Sequence, residues 1–189
     1  MDLDHPQLTR IIDEFEAARV RLHDLVDALP EERWAERADP ERWSVAECVA
    51  HLNLTTEAYL PVMREALERA RESGRAHRGR YRRSPLGWFL TFAVGPLPRL
   101  GRLRLGRVRA PAAFVPGGEL PRGRVMADFD RLQDEQIELV RAADGLPIDR
   151  VKIASPFQPS MSYDLYSAFR ILPRHQARHL QQAEGVWSR

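Results

Sequence analysis

The sequence predicts an all-α chain, a four-helix bundle with a long basic crossover connection between its second and third helices. Three observations carry that expectation. Apolar residues recur at three- and four-residue steps in four separate segments, each the buried face of an amphipathic helix. No strand-like alternation of comparable length interrupts them. A stretch at 75–124, too long for a tight turn, separates the second segment from the third and leaves those two helices free to run parallel.

The first helix is expected to open at Asp4 as N-cap, with Pro6 tolerated in the first turn. Leu8, Ile12, Phe15, Ala18, Leu22, Val26 and Leu29 form its apolar face, and Pro30 stops it. Residues 31–42 read as a connector anchored by Trp34. Ser44 and Glu47 make a capping box for the second helix. Val45, Cys48, Val49, Leu52, Tyr59, Leu60, Met63 and Leu67 continue its stripe to Gly74, with Pro61 expected to kink it. The third helix covers about 123–143, with Val125, Phe129, Leu132, Leu139 and Val140 inward and Gly145 as punctuation. The fourth starts near Ser162 and carries Leu165, Phe169, Leu172, His175, His179, Leu180 and Ala183 along one side. Pro173 is expected to kink or restart it.

Composition narrows the function classes. The 189 residues are 43% apolar and 30% charged, which suits one folded domain, 1–189, and excludes a disordered chain. The single cysteine, Cys48, excludes an internal disulfide and a Cys-rich zinc site. No basic n-region, apolar h-region or spanning-length apolar run is visible, so a cytoplasmic location is expected.

The connection at 75–124 holds twelve arginines against one acid, Glu119, within a chain whose formal charge is only +2. An uncharged run, 84–98, lies inside it with Trp88, Phe89 and Phe92, and has room for a short helix around 86–94. Burial of large apolar side chains outweighs exposed ion pairs, so the run is expected to pack on the bundle or on a homodimer partner. Contact with an anionic membrane surface is the rival. No nucleic-acid reading motif is present, and no sequence-specific nucleic-acid binding is expected.

The histidines carry the chemistry. His175 and His179, at i and i+4, lie on one helical face and can converge on one ion. Leu172 and Leu180 turn both rings inward, and two unpaired buried imidazoles want a shared partner. His51, at the edge of the second helix's apolar face, can supply the third ligand. Three neutral imidazoles suit a divalent metal and leave an open coordination position, the arrangement typical of catalytic zinc. The spacing matches H-E-x-x-H, but Gln176 replaces the general base. Leu172 excludes the Glu-x-x-His motif of di-iron bundles. His5, His23 and His77 are expected to be solvated. Cys48 reads as a core residue and Trp43 as a packing anchor. Thr55 and Tyr59, one and two turns after His51, and Gln182, three residues after His179, are candidates for a second shell or pocket.

Trp43-Ser44-Val-Ala-Glu47-Cys-Val-Ala-His51-Leu52, followed by His175-x-x-x-His179-Leu-x-Gln182, resembles the DinB-like (damage-inducible, YfiT-type) superfamily. Arg107–Pro116, ending Ala-Phe-Val-Pro, and Ser155-Pro-Phe extend the resemblance over nearly the whole chain. It implies a four-helix bundle, often dimeric, that holds nickel, zinc or a similar divalent ion on His51, His175 and His179. Relatives implied by it include bacillithiol- or mycothiol-dependent S-transferases, a mycothiol-dependent maleylpyruvate isomerase and metal-binding domains of sulfoxide synthases. The expected function is a metal-dependent thiol S-transferase or hydrolase acting on a small electrophilic molecule, with a low-molecular-weight thiol as cosubstrate. The alternative is a non-catalytic stress-response or binding module with a structural metal.

Overall fold

Five α-helices and one small sheet make up the computed structural model, which describes residues 5–96 and 110–187. The helices are α1 (Pro6–Asp27), α2 (Val45–Glu72), α3 (Pro85–Ala93), α4 (Arg122–Ala142) and α5 (Leu165–Trp187); the strands are β1 (Lys152–Ala154) and β2 (Ser162–Asp164). The chain is predominantly helical, as its periodicity predicts. The antiparallel β1–β2 pair, with Ile153 opposite Tyr163, is the departure from that prediction. Three residues per strand are too few to register as alternation. Because of this pair the last helix begins at Leu165 rather than near Ser162.

Local chemistry sets the boundaries. Asp4 lies outside the described residues, and the observed cap of α1 is His5, whose Nδ1 accepts the Gln7 N–H at 3.2 Å. Its Nε2 donates to the Gly79 carbonyl at 2.7 Å and ties the start of α1 to the arm after α2. The capping box of α2 is complete. The Glu47 N–H reaches Ser44 Oγ at 3.2 Å, and the Ser44 N–H reaches the Glu47 carboxylate at 2.9 Å. Beyond the last turn, Gly74 takes φ +63, the left-handed position at which many helices stop. Pro61 and Pro173 both fall inside helices that run on as single elements, so α5 does not restart at Pro173.

Asp164 organises the start of α5. It is 3% exposed and accepts from the Ser167 N–H at 2.6 Å, the Ser167 hydroxyl at 2.7 Å and the Ser84 N–H at 2.8 Å. One buried carboxylate thus caps α5 and pins the residue before α3. The two helices meet closely at Gly87, where a Cβ would stand 1.9 Å from Ser167 Oγ.

The long helices α1, α2, α4 and α5 enclose two separate apolar clusters. One joins Leu8–Phe15 of α1, Tyr59–Ala70 of α2, Leu132–Val140 of α4, the sheet and Leu165–Leu172 of α5. The other joins Ala18–Leu29, Trp34, Val45–Leu52, Val125–Phe129 and Leu180–Ala183. Trp34 anchors the second as expected, its indole N–H donating to the Leu120 carbonyl at 2.7 Å. Between the clusters lie buried polar side chains. The amides of Gln133 and Gln176 donate to each other at 2.7 and 3.1 Å, and Gln133 also donates to the Phe15 carbonyl.

Two expectations are corrected here. His23 and His77 are not simply solvated: His23 meets Asp130 at 2.9 Å, and His77 stacks on Tyr81 with ring centroids 4.2 Å apart. The aromatic run does not pack wholly on the helices. Leu86 and Leu90 do, but Trp88, Phe89 and Phe92 face outward, because α3 is apolar all round and only one side can be covered. Residues 97–98 of that run, and Arg99, Arg102, Arg104, Arg107 and Arg109, lie outside the described residues.

Candidate metal centre

The polar layer between the two clusters is where the three predicted imidazoles meet. His51 comes from the second turn of α2, while His175 and His179 share one face of α5. His51 is 2% exposed and His179 9%, and His175 is partly exposed. His51 Nδ1 lies 2.7 Å from the Phe114 carbonyl oxygen. A carbonyl only accepts, so Nδ1 carries the proton and Nε2 presents its lone pair inward. That Nε2 stands 3.4 Å from His175 Nε2, which is 3.1 Å from His179 Nε2.

These separations have a simple interpretation. Two nitrogens bound at about 2.0–2.1 Å to one tetrahedral ion stand roughly 3.3–3.4 Å apart. Those two separations match a shared cation, and all three ligand atoms lie within 4.8 Å of one another. Among the described residues no fourth His, Cys, Asp or Glu joins the group, so the three rings offer three ligand atoms and leave any further position open. The protonation states suit this use. Burial, and then the neighbouring His51 and Arg178, push His175 down to about 3. Burial with His175, His51 and Arg178 holds His179 well below the ordinary histidine value. Burial also lowers His51, against the opposing pull of the Phe114 carbonyl. All three are neutral at pH 7, the state in which imidazole is a ligand.

Aromatic rings wall the group. Trp43 lies 4.8 Å from the His51 ring and stacks at 5.8 Å on His179, so it borders the site as well as anchoring the helix start. Phe157 meets His175 edge-on at 6.1 Å and packs against Phe114 at 4.1 Å. Phe114 belongs to a short turn, Ala112–Phe114, in the basic link before α4. Sequence reasoning singled out the Ala-Phe-Val-Pro and Ser-Pro-Phe stretches but assigned neither phenylalanine a role.

A family model of the DinB superfamily matches residues 14–183. The chain belongs to the DinB superfamily. No curated protein and no solved structure matches it significantly. The DinB match covers α2 and α5 as far as residue 183, and therefore all three histidines. The other residues singled out in this DinB chain divide clearly. Cys48 is 1% exposed and its thiol is pushed far up by burial and by Glu47, which leaves it a core residue and not a nucleophile. Gln176 turns away to Gln133, so the protease-like spacing carries no base. The Tyr59 and Tyr163 hydroxyls share a hydrogen bond at 2.5 Å, which occupies Tyr59 away from the imidazoles. Thr55 is 2% exposed, and its hydroxyl has no hydrogen-bond partner. Gln182 is partly buried.

Proposed function

We propose that this chain is a metal-dependent enzyme, a thiol S-transferase or hydrolase for a small electrophilic molecule, with His51, His175 and His179 as ligands of one divalent ion. The observation that carries this reading is the convergence of three Nε2 atoms, with neighbouring separations of 3.1 and 3.4 Å and no fourth His, Cys, Asp or Glu in the group among the described residues. Zinc or nickel suits three nitrogen donors. A divalent ion held by these three histidines would lower the pKa of a bound thiol or water.

The protein's own contribution is orientation and exclusion of water. The Phe114 carbonyl fixes the His51 tautomer, a role that supporting hydrogen bonds commonly fill around ligating histidines. Trp43, Phe114 and Phe157 supply an apolar wall against which a small electrophile can rest. Thr55, one turn beyond His51 on α2, carries a buried hydroxyl with hydrogen-bonding capacity to spare. The order in which the helices enter the two apolar clusters supports a four-helix bundle in which α2 and α4 run parallel across the basic link.

Elemental analysis of protein purified without a metal-affinity tag tests the site. About one zinc or nickel per chain is expected, and a His175→Ala/His179→Ala variant should lose it. Full metal content in that variant would exclude the assignment. A screen of low-molecular-weight thiols against electrophilic acceptors then tests catalysis. The deep burial of His51 and His179 favours the second reading, a structural ion in a non-catalytic module; in that case the metal raises thermal stability while the screen stays negative.

A further inference from the structure

Helix α3 has two apolar sides and covers only one. Gly87 and Thr91 are buried and Leu86, Leu90 and Val94 half-buried, whereas Pro85, Trp88, Phe89 and Phe92 face outward at the i, i+3, i+4, i+7 spacing of a helical stripe. Trp88 is 59% exposed, Phe89 57% and Phe92 68%, and the Trp88 and Phe92 rings lie within 7° of parallel. Among the described residues, the other strongly exposed large apolar side chains are the isolated valines Val20 and Val115. Three aromatic rings on one nine-residue helix form a contiguous patch of the kind that marks an interaction surface.

The surrounding charge indicates what covers it. Residues 75–96 contain five arginines and no acid. Arg75, Arg78, Arg80 and Arg82 are exposed and Arg83 half-buried, and none forms a salt bridge with a described residue. At the other end of α3, the Arg174 guanidinium lies against Gly95, and Arg178 donates to the carbonyl of Ala93, the last residue of the helix. Cations therefore bracket the aromatic stripe at both ends. A second copy docking on this face would bring two such arginine sets together without an acid from either segment to relieve them. An anionic bilayer presents instead an apolar interior under a sheet of phosphate, which matches both halves of the surface. A nine-residue helix extends about 13.5 Å, too short to span the ~30 Å hydrocarbon core but suited to lying in its interface, where Trp side chains concentrate.

We propose that α3 is a membrane-surface docking element, with Trp88, Phe89 and Phe92 inserted at the headgroup–acyl boundary of an anionic bilayer and the Arg75–Arg83 arm on its phosphates. The proposal is independent of the metal site.

Vesicle co-sedimentation of the full chain tests it, using phosphatidylcholine vesicles with and without about one third phosphatidylserine. Binding is expected to the anionic vesicles alone and should fall steeply with added salt, as screening shortens the reach of the arginines. Trp88→Ser/Phe92→Ser, which alters only exposed rings, should keep its circular dichroism spectrum and weaken binding at least about ten-fold. Arg80→Ala/Arg82→Ala/Arg83→Ala should weaken it by a similar factor. Absence of binding by the wild type would overturn the proposal, as would equal binding to neutral vesicles. Binding that survives the ring variant would mean that the arginines act alone and α3 does not insert, which also overturns it. Sedimentation velocity supplies the remaining outcome: a dimer that dissociates in Trp88→Ser/Phe92→Ser, with no vesicle binding, would assign the stripe to a second copy.

Discussion

Acidifying the metal-free protein from pH 7 to pH 5.5 should destabilise it by an amount set by the buried imidazoles. Folding depresses the pKa of His51, His175 and His179 below the ordinary 6.5, and that of His175 to about 3. Below 6.5 the unfolded chain therefore takes up protons that the folded chain refuses, and stability must fall as pH falls. With an unfolded pKa of 6.5 and no uptake in the folded state, each imidazole costs about 1.2 kcal/mol over this interval. His175 and His179 together contribute about 2.5 kcal/mol, and His51 brings the loss to at most about 4 kcal/mol. This is a large share of the ~5–15 kcal/mol typical of a domain. Urea unfolding of chelator-treated protein at the two pH values, followed by circular dichroism, measures it. His175→Leu/His179→Leu should flatten most of the dependence. A loss under about 1 kcal/mol in the wild type would refute the reasoning, because it would mean that the rings are hydrated or already protonated when folded.

Three further outcomes probe the frame around the site. Gly87→Ala should lower unfolding free energy by about 1–3 kcal/mol, because its Cβ would stand 1.9 Å from Ser167 Oγ and 2.4 Å from Ser167 Cβ. Ser167→Ala should therefore not rescue it, which a double-variant melt can check. Asp164→Ala should cost about 1–3 kcal/mol by stranding buried donors of Ser167 and Ser84, and proteolysis should detect earlier release of α3. Ser44→Ala should cost about 0.5–2 kcal/mol in urea unfolding, since one half of the capping box disappears.

What the sequence made legible was what side chains do locally or chemically. Ser44 and Glu47 are three residues apart, and their reciprocal bonds need no distant partner. The histidines were readable because imidazole chemistry and the i, i+4 spacing constrain each other. Backbone partners leave no such trace. Nothing in the residue type of Phe114 shows that its carbonyl would reach across 63 positions to orient His51. The start of α1 shifted from Asp4 to His5 because an imidazole nitrogen can serve as an acceptor where a carboxylate was expected. The strands were missed because three-residue segments carry no measurable period. The outward aromatics of α3 have a different cause. Burial energetics favour covering apolar side chains, but a helix that is apolar on every side cannot be covered by one neighbour.

The paired amides of Gln133 and Gln176 act as a gauge of helix register. Two helices joined only by aliphatic side chains can slide against each other at modest cost, since one leucine contact resembles the next. A slip of one turn, about 5.4 Å, would break both bonds that Gln176 makes with Gln133, at about 1–3 kcal/mol for each group left stranded, whereas Gln133 would keep the Phe15 carbonyl and Gln136. The pair thus holds α5 at one height along α4. Because His175 immediately precedes Gln176, the same interlock sets the height at which the imidazoles of α5 arrive opposite His51.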